Sequence, residues 1–170
     1  MKKIYAPWRD DYITKTVHKS NDERKKDTCV FCDNLAENND KKNFILKRFT
    51  HNFVALNLYP YNGGHLMVLP VTHKGTLNQL TPQERSEHIE IVNTCINILE
   101  KSLKPQGFNV GLNIGRAGGG GIPTHLHTHV LPRWESDTNF MPLLADTKPV
   151  STDLVEIYKM LKPKFDEIAL

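Results

Sequence analysis

The most informative segment of the sequence is residues 118–131, which read Gly-Gly-Gly-Gly-Ile-Pro-Thr-His-Leu-His-Thr-His-Val-Leu. Its histidines, His125, His127 and His129, alternate with residues that suit a protein core. Residues two apart on a β-strand share a face and lie roughly 6.7 Å apart. The pattern therefore predicts a strand over about 125–132 that carries three imidazoles on one face. Because imidazole titrates near neutral pH, such a row indicates chemistry rather than packing.

A run of glycines, residues 118–121, comes directly before this strand. Glycines let the backbone approach a ligand closely, and their N–H groups can form a concavity that binds anions. A flexible loop is the alternative interpretation. No Gly-Lys-Ser/Thr sequence follows, so this is not a Walker-type loop. Beside three histidines, we interpret the run as a phosphate-binding loop.

The segments on either side of a strong turn, residues 59–64, have the composition of β-strands. The predicted strands are Phe44 to Leu46, Asn52 to Leu58, His65 to Pro70 and Phe108 to Ile114. Together with the histidine segment they make about five strands. Consecutive strands joined by short turns favour an antiparallel sheet.

A long helix is predicted to open at Thr81, with Pro82 in its first turn and Glu84 completing a capping box. Its apolar stripe consists of Val92, Cys95, Ile96, Leu99 and Leu103. Residues 105–107, Pro-Gln-Gly, end it. His88 on this helix is assigned no role, and Cys95 is assigned to the core.

A second helix is predicted near the end of the chain, from about Leu154 to Leu170, and Pro163 is expected to end or kink it. The fold class is therefore α+β: an antiparallel sheet of about five strands with one long helix on a face and a C-terminal helix.

Composition excludes several classes of protein. The chain has 170 residues and a formal charge of +3, from 22 Lys and Arg against 19 Asp and Glu. That excess suits an anionic small molecule but is too small for duplex nucleic acid. No stretch approaches the roughly 18 apolar residues of a membrane span, and the first residues lack the apolar region of a secretory signal. Three cysteines, an odd number, argue against a disulfide framework. We therefore expect a cytoplasmic protein with no membrane partner.

Cys29-Val30-Phe31-Cys32 is a C-x-x-C sequence. A redox role would need a βαβ context, which is absent. Structural zinc needs two further ligands, and buried apolar cysteines are the alternative. A catalytic zinc held by the three histidines is a rival interpretation of the histidine row. Such a site needs a nearby base, and Glu135 and Asp137, the acids that follow the strand, lie beyond Pro132.

Residues 125–131 resemble the histidine triad signature, His-x-His-x-His followed by two apolar residues, with Thr128 where an apolar residue is usual. The resemblance extends over residues 29 to about 142. Residues 56–65 look like the nucleotide-facing hairpin of that superfamily, and residues 113–121 look like its phosphate loop. Residues 5–9 and 132–142 are most similar to bacterial members of the fragile histidine triad and diadenosine tetraphosphate phosphorylase branches.

This resemblance implies catalytic roles for the three histidines. His127 would attack an α-phosphate and form a nucleotidyl-imidazole intermediate, while the carbonyl of His125 would hold its other ring nitrogen as a donor. His129 would contact the phosphate and help the leaving group depart. The implied nucleotide-binding and phosphate-binding residues are Asn57, His65, Asn113, Gly120, Gly121 and His129. Gly121 and Ile122 stand where other members carry Ser, Thr or Gln, so backbone N–H groups would do more of the phosphate binding.

The resemblance also implies a structural zinc site. Its ligands would be Cys29, Cys32, His73 and His125, with His51 as a rival for the third position. The implied domains are an N-terminal extension, 1–28, a catalytic domain, 29–142, and a C-terminal helical tail packed on it, 143–170. Family members are usually homodimers, so a homodimer is expected here.

The implied function is cleavage at the α-phosphate of a dinucleoside polyphosphate such as diadenosine tetraphosphate. Water is our expected acceptor. The alternatives are a phosphorylase that uses inorganic phosphate, a nucleoside phosphoramidase and, from another class, a nucleotide sensor without turnover. An intact histidine row argues against the sensor, because binding alone needs no free nucleophile. Repair of nucleic-acid ends would need a basic surface, which the small charge excess does not support.

Overall fold

The computed structural model describes residues 29–138 and 153–169. By its contacts the chain divides into two compact units, one made of 29–134 with 150–170 and the other of 1–28 with 135–149. The helices and strands of the described residues all belong to the first unit. The sequence features at 5–9 and 139–142, and the whole of the predicted N-terminal extension, 1–28, lie outside the described residues. None of the helices in the described ranges has the length and apolar character needed to cross a lipid bilayer.

The sheet has five antiparallel strands, as the sequence predicts. They are β1 (Ile45–Arg48), β2 (Asn52–Leu56), β3 (Leu66–Pro70), β4 (Gly107–Leu112) and β5 (Thr128–Arg133). Their order in space is β1-β2-β3-β5-β4. The last strand in the chain therefore lies between β3 and β4.

Both faces of the sheet are covered, which explains why β2 and β3 are buried at every position. Helices α2 (Pro82–Leu103) and α3 (Leu154–Asp166) pack on one face, around Val54, Val68 and Val130. On the other face a short helix, α1 (Val30–Ala36), brings Phe31 and Leu35 against a smaller apolar cluster that contains Phe53 and Met67. A single-turn 3₁₀ helix, Leu77–Gln79, precedes α2.

Helix α2 begins as its sequence predicts. The backbone N–H of Glu84 donates to Thr81 Oγ1 at 3.2 Å, and that of Thr81 donates to Glu84 Oε2 at 2.6 Å. These two bonds complete the capping box. Lys74 Nζ also lies 2.7 Å from Glu84 Oε2, which ties the segment after β3 to the start of the helix. The helix ends at Leu103, followed by Lys104 in the left-handed region with φ 48°.

The prediction that the strand of the histidine segment begins at about residue 125 is wrong. β5 begins at Thr128, so only His129 of the three histidines lies in the regular strand. The β3–β5 ladder ends at the pair Val68↔Thr128. Beyond it β3 reaches Pro70, which has no N–H to extend the ladder, and the N–H of Leu126 donates to Lys74 O at 2.7 Å instead.

Two smaller predictions also differ from the structure. Of the two outcomes predicted at Pro163, an end or a kink, the end is wrong: helix α3 continues to Asp166, and Phe165 in its last turn is fully buried in the core. The predicted strand over 52–58 ends at Leu56, although the N–H of Asn57 still donates to His65 O in the register of the β2–β3 ladder.

Candidate active site

His127 precedes β5 and is 7% exposed, on the sheet face that α1 covers. Its Nδ1 donates to the carbonyl oxygen of His125 at 2.8 Å. Burial is the main cause that lowers the pKa of His127, so the ring is neutral at pH 7. Because Nδ1 carries the proton, Nε2 carries a lone pair, and no atom in the described part of the chain hydrogen-bonds to it.

His129 is held through His65, which lies just before β3 and is 1% exposed. The backbone N–H of Tyr61 donates to His65 Nδ1 at 3.1 Å, so the proton of the neutral ring is on Nε2. That Nε2 donates to His129 Nδ1 at 2.9 Å. The Nε2 of His129 is therefore left as a donor. Burial lowers the pKa of His65 to about 3 and that of His129 to about 4, so both rings are neutral.

Aromatic rings stand at both ends of this histidine pair. The Phe31 ring centroid lies 5.3 Å from that of His127, the His127 centroid lies 5.0 Å from that of His129, and the Tyr61 centroid lies 5.9 Å from that of His129. Tyr61 also lies 4.8 Å from His65, centroid to centroid. The sequence analysis assigned no role to Phe31 or Tyr61, because one aromatic residue in a turn or short helix carries no periodic signal.

Asn57 begins the turn between β2 and β3. Its Oδ1 accepts from the backbone N–H of Tyr59 at 2.9 Å, and its Nδ2 lies 3.4 Å from His65 Nδ1. The turn is closed at its other end, where Asn62 Nδ2 donates to Pro132 O at 3.1 Å. Of the predicted nucleotide-binding residues, the structure thus brings Asn57, His65 and His129 together.

The glycine loop joins β4 to the histidine segment. A Cβ at Gly118 would lie 2.5 Å from Ile114 O, so the loop packs on itself at a point where only glycine fits. The N–H of Gly119 donates to Arg116 O at 3.0 Å and that of Gly120 to Gly115 O at 3.3 Å. These two groups are therefore used inside the loop. The N–H groups of Gly121 and Ile122 have no acceptor within the described residues.

Four side chains from three separate segments form a metal-type cluster. The candidate ligand atoms of Cys29, Cys32, His73 and His125 all lie within 4.8 Å of one another, and His51 is not among them. His125 Nε2 donates to Pro70 O at 2.9 Å, so its Nδ1 lone pair faces Cys29 Sγ at 3.3 Å and Cys32 Sγ at 3.5 Å. Two thiols and two imidazoles are the donor set that tetrahedral zinc prefers.

The electrostatics of the cluster fit a cation. Burial and the neighbouring Cys29 raise the pKa of the Cys32 thiol to about 11. A thiolate in this place therefore needs a positive charge beside it, which a zinc ion supplies. His125 also presents its carbonyl to His127, so this one residue joins the cluster to the histidine row.

His88, which sequence reasoning left without a role, lies on the opposite side of β5. It is 5% exposed, its Nδ1 donates to Asn52 Oδ1 at 2.8 Å, and its Nε2 accepts from Thr128 Oγ1 at 2.7 Å. Asn52 Nδ2 in turn donates to Glu87 Oε2 at 2.8 Å. Thr128 occupies a position where the triad signature has an apolar residue, and that departure was the signal for a polar partner behind the strand.

The HIT domain model matches residues 38–136. The chain belongs to the HIT family. A curated HIT relative, the AP-4-A phosphorylase of Mycobacterium tuberculosis, is 31% identical over 161 residues, which cover 95% of this chain and 83% of the relative. The asymmetrical bis(5'-nucleosyl)-tetraphosphatase of Schizosaccharomyces pombe is 32% identical over 82 residues, 48% of this chain and 44% of that protein.

A solved HIT structure shares the fold. The zinc-bound histidine triad family protein from Mycobacterium smegmatis superposes with a TM-score of 0.67 at 22% identity, covering 82% of this chain and 94% of that one. The α+β fold that the sequence predicts, HIT-like in architecture, is confirmed.

Proposed function

We propose that this HIT protein cleaves a dinucleoside polyphosphate at its α-phosphate through a covalent nucleotidyl-His127 intermediate. The observation that carries the proposal is the state of His127: a buried neutral ring whose Nδ1 proton is held by a carbonyl 2.8 Å away and whose Nε2 lone pair has no partner in the described residues. An imidazole in this state is a nucleophile without further activation. The names of the two curated relatives support a polyphosphate substrate.

The reaction proceeds in two displacements at phosphorus. In the first, the Nε2 lone pair of His127 forms a P–N bond, and the bond from phosphorus to the bridging oxygen breaks. The leaving nucleotide departs as an anion with the bonding pair, while its oxygen accepts a hydrogen bond from His129 Nε2. In the second, an acceptor oxygen attacks phosphorus and the P–N bond breaks, which returns the lone pair to His127. If the acceptor is water, its proton goes to solvent.

The resting hydrogen bonds suit these steps. The intermediate carries a positive charge on the His127 ring, and the His125 carbonyl that already accepts from Nδ1 stabilises that charge. His65 holds His129 in the tautomer that donates to phosphate. We propose that Asn57 contacts the ribose and that Asn113 with the N–H groups near Gly120 and Gly121 contacts phosphate. Since the N–H of Gly120 is used within the loop, we expect Gly121 to contribute more.

The acceptor separates two candidate enzymes. Water, the acceptor favoured by the sequence, needs no site of its own. Inorganic phosphate as the acceptor is supported by the similarity to the mycobacterial phosphorylase, which aligns with 95% of this chain. Turnover of diadenosine tetraphosphate in ¹⁸O-labelled water, with and without inorganic phosphate, decides between them. A hydrolase releases labelled AMP at full rate without phosphate. A phosphorylase is inactive without phosphate and releases ADP with it. Absence of turnover under both conditions contradicts the proposed reaction.

We propose a structural zinc held by Cys29, Cys32, His73 and His125. When bound, zinc supplies the positive charge that stabilises two thiolates and crosslinks α1 to the segments around β3 and β5. The support is the donor set and its spacing. The metal takes no step in the chemistry, because His125 faces it with Nδ1 while its carbonyl serves the nucleophile.

We propose a homodimer formed through the edge strand β4 and the adjacent face of α2. Ile89 is 59% exposed there, and Leu77 and Val110 are also exposed. An apolar hollow of about 300 Å³ lies between α2 and β4. An edge strand beside exposed apolar side chains favours pairing with a second copy. Sedimentation should give twice the mass of the chain, and Val110→Lys should give the monomer.

The remaining proposals follow the sequence. Three free cysteines, two of them in a zinc-type cluster, support a reducing, cytoplasmic location. We propose that residues 29–142 form the catalytic domain, with 1–28 as an extension and 143–170 as a tail.

A further inference from the structure

We propose that Tyr61 is the residue that selects substrates with a second nucleoside, by stacking on the base of the leaving nucleotide. This inference rests on the proposed cleavage at the α-phosphate and concerns the half of the substrate that departs. The family resemblance includes Tyr61 in the nucleotide-facing hairpin, residues 56–65, but gives this residue no role of its own.

The order of the rings defines the direction in which the leaving group departs. Phe31, His127, His129 and Tyr61 follow one another with centroid separations of 5.3, 5.0 and 5.9 Å. His127 bonds to the α-phosphate, and His129 donates to the oxygen that leaves. The departing half of the substrate is therefore on the side of His129 and Tyr61, whereas Phe31 is on the opposite side of the nucleophile.

The Tyr61 ring is available to a ligand. It is 42% exposed, although its backbone N–H is fixed by the bond to His65 Nδ1. The turn that carries it is anchored at both ends, by the N–H of Asn57 on His65 O and by Asn62 on Pro132 O. A rigid backbone under an exposed ring is an efficient stacking surface, because little conformational freedom is lost when a base binds.

A positive charge on the side of His129 and Tyr61 suits the polyphosphate that joins the two nucleosides. Arg133 lies four residues after His129 on β5, so it is on the same face of the strand, near the turn that carries Tyr61. Its Nη1 donates to Asn109 Oδ1 at 2.5 Å, which holds the guanidinium on that face. A cation and an exposed aromatic ring on the same side of His129 match an anionic chain that carries a nucleobase.

The test compares two ligands that share the adenylyl group but differ in the leaving half. The leaving group of diadenosine tetraphosphate is ATP, which contains the second base. The leaving group of adenosine 5'-tetraphosphate is triphosphate, which contains no base. Affinities are measured by calorimetry in the His127→Asn background, where neither ligand is consumed. Adding Tyr61→Ala should lower the affinity for diadenosine tetraphosphate about tenfold, because stacking on one base contributes on that order. The same change should alter the affinity for adenosine tetraphosphate less than twofold. Tyr61→Phe should retain the preference.

Tyr59→Ala is the matched control. It removes an aromatic ring that is 67% exposed on the same turn and should leave both affinities unchanged. Equal weakening of both ligands by Tyr61→Ala, or no weakening of either, overturns the proposal, and loss of the preference in Tyr61→Phe overturns stacking as its basis. These results are distinct from failure of the proposed function, which would appear as no turnover of diadenosine tetraphosphate by the unmodified protein.

Discussion

Strand β5 separates two histidine networks, which differ in whether a ring nitrogen is left without a hydrogen bond. Behind the strand, His88 uses both ring nitrogens, one on Asn52 and one on Thr128. In front of it, His127 uses only Nδ1. Both rings are buried and both are neutral, so burial and protonation do not distinguish them. The unused nitrogen, rather than the perturbed pKa, therefore marks the histidine that can react.

The largest expected effect is that of removing this unused nitrogen. His127→Asn should lower turnover of diadenosine tetraphosphate by on the order of 10⁴-fold or more, because no covalent intermediate can form, while substrate binding is retained. His88→Asn is the control from the other side of β5, and its turnover should stay within about tenfold. Steady-state kinetics with calorimetric binding check both variants. Near-normal turnover in His127→Asn would contradict the assignment of the nucleophile.

The metal-type cluster should stabilise the front of the sheet. Protein purified without chelator should contain about one zinc per chain, and Cys32→Ser should lose it and about 3 kcal/mol of stability, roughly 10 °C in Tm. Cys95→Ala, which removes a buried thiol from α2, should keep the metal. Elemental analysis and thermal unfolding measure these outcomes. If chelation abolished turnover while folding stayed intact, a catalytic zinc at the histidines would be the better interpretation.

The link from His65 to His129 gives a smaller effect with an internal control. His65→Leu removes the donor that fixes the tautomer of His129, so kcat should fall about 100-fold with little change in KM. His65→Gln can accept from Tyr61 and donate to His129, and it should stay within about tenfold of the unmodified protein. Equal losses in both variants would mean that His65 acts through its size or its ring rather than its hydrogen bonds.

The smallest expected effect concerns the pH dependence of stability. Burial lowers the pKa of His88 from 6.5 to about 4 in the folded protein, opposed in part by nearby Glu87. Between these values the unfolded chain binds more protons, so stability is full above pH 6.5 and falls as the pH decreases towards 4. At pH 5 one such histidine costs roughly 2 kcal/mol. Urea unfolding at pH 7 and pH 5 measures the loss of unfolding free energy between these values. In His88→Gln this loss should be smaller than in the unmodified protein by about that amount. If the loss of stability between pH 7 and pH 5 were unchanged in this variant, the pH dependence would belong to the histidines in front of β5, His65, His127 and His129.

Periodicity and capping chemistry were enough to predict the antiparallel sheet and helix α2, because those signals are local. Thr81 and Glu84 form the predicted capping box, and the five strands are antiparallel. The early start assigned to β5 failed because its limit is set by Pro70, which is 58 residues away from Thr128 in the chain (128 − 70). Local patterns carry no information about such a partner.

The networks around the triad were less accessible to sequence reasoning for the same reason. His88 and Thr128 are 40 residues apart, and His65 and His129 are 64 apart. Tyr61 reaches the site through the fold of its turn rather than through any pattern in its neighbours. The four metal-type positions were found because the family resemblance, and not their spacing, joined Cys29 and Cys32 to His73 and His125.

The position of β5 between β3 and β4 has a consequence for how the chain is made. Synthesis proceeds from the N-terminus, so β3 and β4 leave the ribosome before the strand that separates them. A chain that ends before Thr128 presents two unpaired strand edges, which are sites for pairing with other chains. The pairings that close the sheet span up to 64 residues (Leu66 to Val130), a separation that makes their formation slow. Strand β5, which carries His129, is therefore also the last strand of the sheet to be made, and its arrival covers the edges of β3 and β4 that face it.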